Sequence, residues 1–118
     1  MRWGVLSATG LLASGVAGVV VPERVATALD LIPTSSRGIA ETRAGLGGTY
    51  AALGAWALLN KSAAAHRAVG WTWLGAAAVR MVALKADKPR TDPTYWAYLA
   101  TELGLGTGAL VAARQAND

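Results

Sequence analysis

The chain has 118 residues, of which 53% are hydrophobic and 15% charged, where an ordinary soluble domain carries roughly a quarter charged residues. It has no cysteine and one histidine, which excludes disulfides, thiolate catalysis, cysteine metal sites and any multi-histidine metal centre within one chain. The formal net charge is +4, but the Lys and Arg residues are scattered through short polar segments without interleaved aromatics, so nucleic acid is not read as a partner.

Residues Trp3 to Val21 contain no charge, a run close to the ~20 residues that cross a hydrocarbon core. Arg2 ahead of an apolar run also suits a signal peptide, but the run exceeds a usual signal core and is read as a retained first transmembrane helix. Residues 22–36, PERVATALDLIPTSS, place Val25, Ala28, Leu29 and Ile32 on one helical face and Glu23, Arg24 and Asp30 elsewhere. This pattern predicts a short helix lying at the membrane interface. Pro33 is expected to end it, and Thr34, Ser35 and Ser36 offer N-caps for the next helix.

The second span is predicted at about 38–60, with Arg37, Glu41 and Arg43 in its first turns. Residues 61–67 read as a tight polar connection, in which His66 beside Arg67 is expected to be solvated. The third span, about 64–84, contains Arg80. Residues 85–93, KADKPRTDP, form a charged loop, and the fourth span, about 94–113, contains Glu102. No strand competes, because the apolar runs are too long and too rich in Ala and Leu. The expected fold is all-α: residues 1–118 as one integral-membrane domain, a four-helix transmembrane bundle running up-down-up-down, with the interfacial helix between helices 1 and 2. Arg24, Arg37, Lys85, Lys88 and Arg90 in the first and third loops face Arg2, Lys61, Arg67 and Arg114 on the other side. That slight excess puts the first and third loops in the cytoplasm.

A charge at membrane depth marks a candidate site. In this topology Glu41 and Arg43 lie about 6–9 Å inside the face bearing the first and third loops, Arg80 a similar depth, and Glu102 about 12 Å deep. Tyr98 and Tyr95 precede Glu102 by four and seven positions and share its helical face. Glu41 shares a face with Gly45, Gly48 and Ala52, a small-residue stripe that suits close helix approach, as do Gly10, Ser14 and Gly18, and Gly104 and Gly108. Trp3, Trp56, Trp71 and Trp73 fall toward one interface, and Tyr95, Trp96 and Tyr98 toward the other, as anchors. The cluster Glu41, Arg43, Arg80 and Glu102 is either an ion-pair network that fixes helix order or the lining of a cavity for a ligand, proton or lipid headgroup. Glu102, the deepest, is the first candidate, and Tyr95 and Tyr98 complete the set.

The stretch ETRAGLGGTYAALGAWALL at 41–59, the P-x-x-V-x-x-x-L-x-L pattern at 22–31, Arg80 and Glu102 together resemble the small bacterial four-helix membrane proteins grouped as domain of unknown function 4345. The specific part is E-x-R-x-x-x-G-G: Glu41, Arg43, Gly47 and Gly48. The resemblance covers most of the chain. It implies an integral protein of the bacterial cytoplasmic membrane and supplies no activity.

Three functions compete. The first is a binding or accessory protein, either a subunit of a larger membrane complex or homo-oligomer, or a holder of membrane lipids or another hydrophobic ligand. The second is an enzyme acting on a membrane-dissolved lipid or isoprenoid, with Glu102 or Glu41 as acid or base beside an arginine. No nucleophile motif or metal cluster accompanies them, and RAGLGG matches neither nucleotide-binding glycine pattern, so no catalytic residue, metal or cofactor is assigned. The third is a small proton-coupled transporter. The first helix, which carries the essential glutamate in the small multidrug-resistance exporters, has none here.

Overall fold

The computed structural model describes residues 2–117, and these form five helices and no strand. Helix α1 is Arg2–Val20 and α2 is Pro22–Ala28. Helix α3 runs continuously through Ser36–Thr42, a π-helical segment Arg43–Gly48, and Thr49–Asn60. Helices α4 and α5 are Ala63–Ala86 and Pro93–Asn117. The Ser35 and Ser62 side chains accept from the backbone N–H groups of Gly38 and Ala65, at 3.0 and 3.1 Å. Each satisfies one of the orphan donors of a first turn.

Two boundaries depart from the sequence reading. Helix α2 stops at Ala28 instead of Pro33. Asp30 takes the left-handed conformation (φ 59°), its N–H bonds the Thr27 carbonyl, and the Leu31 N–H reaches back to Ala26. This paired closure of the last turn satisfies carbonyls that would otherwise be orphaned, and aspartate tolerates the left-handed backbone better than most residues. It leaves Ile32 81% exposed, off the expected helical face. The connection before α4 is also shorter than expected. Lys61 turns left-handed and Ser62 caps, so His66 lies inside α4. It is buried, not solvated.

The chain divides into two compact units, one of Met1–Ser7 with Lys61–Asp118 and one of Ala8–Asn60. In the second unit, α1 and α3 cross at backbone contact distance. A Cβ on Gly47 would lie 2.6 Å from the Val19 nitrogen, and one on Gly18 would lie 2.7 Å from the Gly47 Cα. The stripe that meets α1 is therefore Gly47, Ala51 and Gly54, whereas Gly45 and Gly48 face open space. Both stripes carry the same helical spacing, so spacing alone does not choose between them. Their complement on α1 does, at Gly15 and Gly18.

In the first unit, α4 and α5 pack along one another. The inward stripe of α4 is His66, Val69, Gly70, Trp73 and Ala77, and that of α5 is Leu99, Glu102, Gly106, Ala109 and Ala113. Both follow the three-and-four spacing of a helical face. At Gly106 a Cβ would come within 2.6 Å of Leu74, so only glycine lets the helices close to this distance. The opening residues of α1 dock here too. The Ser7 hydroxyl donates to the Leu105 carbonyl (2.6 Å), and Trp73 Nε1 donates to the Ser7 carbonyl (3.2 Å). Trp73 is thus a core residue, not an interfacial anchor, while Trp3, Trp56, Trp71 and Trp96 are exposed.

Small residues dominate the buried set. Of the twelve buried hydrophobic residues among those described, eight are alanine. Large apolar side chains stand outside, including Val20 at 67%, Leu59 at 87%, Trp71 at 64% and Val79 at 69% exposed. By length and composition, one helix, Arg2–Val20, is long and apolar enough to cross a membrane, and its place near the N-terminus fits a signal sequence by the same test.

Candidate functional site

Helix α5 begins with a cap that fixes its rotational phase. Asp92 Oδ1 accepts from the Tyr95 N–H at 2.9 Å, and Pro93 occupies the first helical position, where its missing N–H costs nothing. From this start the 3.6-residue repeat brings Tyr95, Tyr98, Leu99 and Glu102 round toward α4. On α4, Arg80 continues the inward stripe three residues beyond Ala77.

The two charges meet in a fork. Arg80 Nε donates to Glu102 Oε1 at 2.9 Å and Nη2 to Oε2 at 2.8 Å. The Glu102 side chain is 8% exposed and that of Arg80 is 22%, so the pair is largely withdrawn from water. The guanidinium carbon lies 5.2 Å from the Tyr95 ring centroid and 5.8 Å from that of Tyr98, within range of cation–π attraction. The Tyr95 hydroxyl donates to the Arg80 backbone carbonyl at 2.9 Å. The tyrosines therefore act on the arginine: two ring faces hold the cation and one hydroxyl holds its backbone. Tyr95 also packs edge-on to Trp96, with centroids 5.6 Å apart.

A cleft of about 320 Å³ opens beside the pair, lined by Ala76, Val79, Arg80, Ala83, Asp87, Pro89 and Tyr95. One wall is aliphatic, from α4. Arg80, Asp87 and Tyr95 are its polar lining residues. This arrangement suits a molecule with an apolar body and a polar end.

Glu41 and Arg43, in the second unit, have other partners. Glu41 is exposed and accepts from Arg37 Nε at 2.9 Å, one turn earlier on α3. Arg43 Nη1 donates to the Val19 carbonyl in the last turn of α1. There it neutralises an unpaired carbonyl at the negative end of the helix dipole, which is a capping role. The residues that sequence reasoning missed are Ser7, His66, Trp73 and the cleft wall. Trp73 and His66 announce themselves only as members of the stripe 66, 70, 73, 77, 80 that carries Arg80. Among the described residues, no group of three or more His, Asp or Glu stands together as a metal site.

No family model, curated protein or solved structure matches the chain.

Proposed function

We propose that this is a small integral membrane protein whose four long helices cross the bilayer up-down-up-down, and which binds an amphiphilic molecule in the cleft at Arg80. The membrane part is supported by the small-residue interior and the many large apolar side chains left exposed. Alanine and glycine inside with valine, leucine and tryptophan outside is the arrangement expected where helices associate by close packing and the surroundings are themselves apolar. By length alone, helices α4 and α5, with 24 and 25 residues, reach about 36 Å at 1.5 Å per residue, enough for a hydrocarbon core of about 30 Å.

The observation that carries the binding reading is the cleft itself, whose lining joins Ala76, Val79 and Ala83 to Arg80, Asp87 and Tyr95. Arg80 is held by Glu102 and two aromatic rings, so a ligand headgroup meets a preorganised cation with little further ordering cost. The test is native mass spectrometry of the protein purified from membranes in mild detergent. The wild type retains a lipid-sized species. Val79→Trp and Ala83→Trp, which fill the cleft from its aliphatic side, lose it. Retention of the same species by both variants overturns the binding reading, as does a wild type free of any bound molecule. Co-purification of a second protein at fixed ratio with no lipid would favour an accessory subunit instead. Release from membranes by alkaline carbonate would overturn the membrane reading.

A further inference from the structure

His66 is the one side chain among the described residues whose buried polar atoms have no hydrogen-bond partner, at Nδ1 and at Nε2. It is 1% exposed. A buried polar group without a partner is rare in a native protein and requires a reason. The ring is wedged against Gly4 of α1, where any Cβ would fall inside van der Waals distance of Cε1 and Nδ1 and at 3.0 Å from the Ala112 Cβ of α5. His66, Gly4 and Ala112 therefore form a three-helix contact that closes only over a glycine and an alanine.

Among the described residues, no Asp or Glu lies in residues 2–7 of α1, in residues 61–62 and the first turns of α4 to Trp73, or in residues 103–117 of α5. Their charged groups are Arg2, Lys61, Arg67 and Arg114, all cationic and all exposed. A neutral imidazole is tolerated in this contact at the cost of its lost hydrogen bonds. An imidazolium would be a buried cation among cations with no acceptor, and burying an unpaired charge is far more costly than burying a neutral polar group. The same contact also holds the start of α1, which otherwise docks through Ser7 and Trp73.

We propose that His66 is a proton-operated latch: protonation of its imidazole releases the first turns of α1, Gly4 to Ser7, from α4 and α5. The direction follows from the geometry. A histidine buried neutral must leave its site to take up a proton, so docking is retained at high pH and lost as the pH falls through the imidazole range.

The absence of cysteine makes the test direct. Leu6→Cys and Trp71→Cys, both at exposed positions, carry a pair of spin labels in lipid nanodiscs. Between about pH 8 and about pH 5, the range that brackets imidazole titration, the wild-type background moves from one short distance to a mixture. The long-distance population grows severalfold at the expense of the short one. His66→Leu abolishes the response. Gly4→Val, which forces the ring out, shows the long distance already at pH 8. An unchanged wild-type distribution at the two pH values overturns the proposal, as does a shift that survives in His66→Leu. If His66→Leu does not fold, a Gly4→Val protein that keeps the short distance at pH 8 overturns it independently.

Discussion

Arg80 and Glu102, twenty-two positions apart, lie in register across α4 and α5 so that two nitrogens of one face two oxygens of the other at 2.9 and 2.8 Å. A bidentate fork is the strongest geometry available to this pair. Its burial makes the two residues interdependent, because Glu102, with its side chain 8% exposed, would be a buried charge without Arg80.

Removing one partner is therefore worse than removing both. Glu102→Gln or Arg80→Gln is expected to destabilise the protein by about 3–5 kcal/mol, the scale for breaking a buried pair. The double substitution Arg80→Met with Glu102→Leu recovers most of that loss. Thermal or denaturant unfolding of the three variants in one detergent checks this, and strict additivity of the two single losses would refute the coupling.

Tyr95 makes two separable contributions to Arg80. Tyr95→Phe keeps the ring face and loses the hydroxyl bonded to the Arg80 carbonyl, at a cost of about 0.5–1.5 kcal/mol. Tyr95→Leu also loses the cation–π contact, adding about 0.5–1 kcal/mol. Equal losses in the two variants would show that the ring contributes nothing. The same unfolding series resolves the difference.

Arg43 is expected to matter at the end of α1. Arg43→Met removes the cation beside the Val19 carbonyl, at a cost of about 0.3–1 kcal/mol. Faster amide exchange should appear in the last turn of α1, with the middle of α3 unaffected. Unchanged exchange at Val20 and Val21 would show that the carbonyl does not need this partner.

The two glycine stripes of α3 predict opposite outcomes. Gly47→Val drives a side chain into the α1 backbone and should prevent the α1–α3 crossing, so the variant fails to yield a monodisperse species. Gly45→Ala and Gly48→Ala meet open space and should be neutral, or stabilising by up to about 1 kcal/mol through reduced backbone freedom. Size-exclusion profiles and melting temperatures of the three single variants decide it. Damage from the Gly45 and Gly48 variants with tolerance at Gly47 would reverse the assignment.

Much of the helical framework is legible in the sequence. The apolar runs mark α1, α3, α4 and α5 because charge-free stretches are local signals, and Ser35 is among the caps offered for α3; the caps at Ser62 and Asp92 are not. The end of α2 was not legible, since it depends on Asp30 accepting a left-handed backbone in preference to the proline three residues later. Arg80, Glu102, Tyr95 and Tyr98 could be singled out because charge and aromatic residues stand out against an apolar background at helical spacing. What each one touches could not be. Arg43 has the same side chain as Arg80, yet it finds a backbone carbonyl on α1, and this follows only from the glycine-mediated crossing that brings Val19 near. His66 was misread for a related reason: Arg67 beside it suggested water, while the stripe shared with Trp73 and Ala77 pointed inward.

The Asp92–Pro93 cap has a consequence for how this chain tolerates length changes. A residue inserted between Asp87 and Asp92 would be taken up by the loop, leaving the carboxylate opposite its arginine. A residue inserted just after Tyr95 would swing Glu102 by about 100° around the axis of α5. The tyrosine would keep its place on Arg80 and the acid would point elsewhere. Ten residues from cap to acid thus act as a ruler, and family expansion or engineering should find insertions freely on one side of it and none on the other.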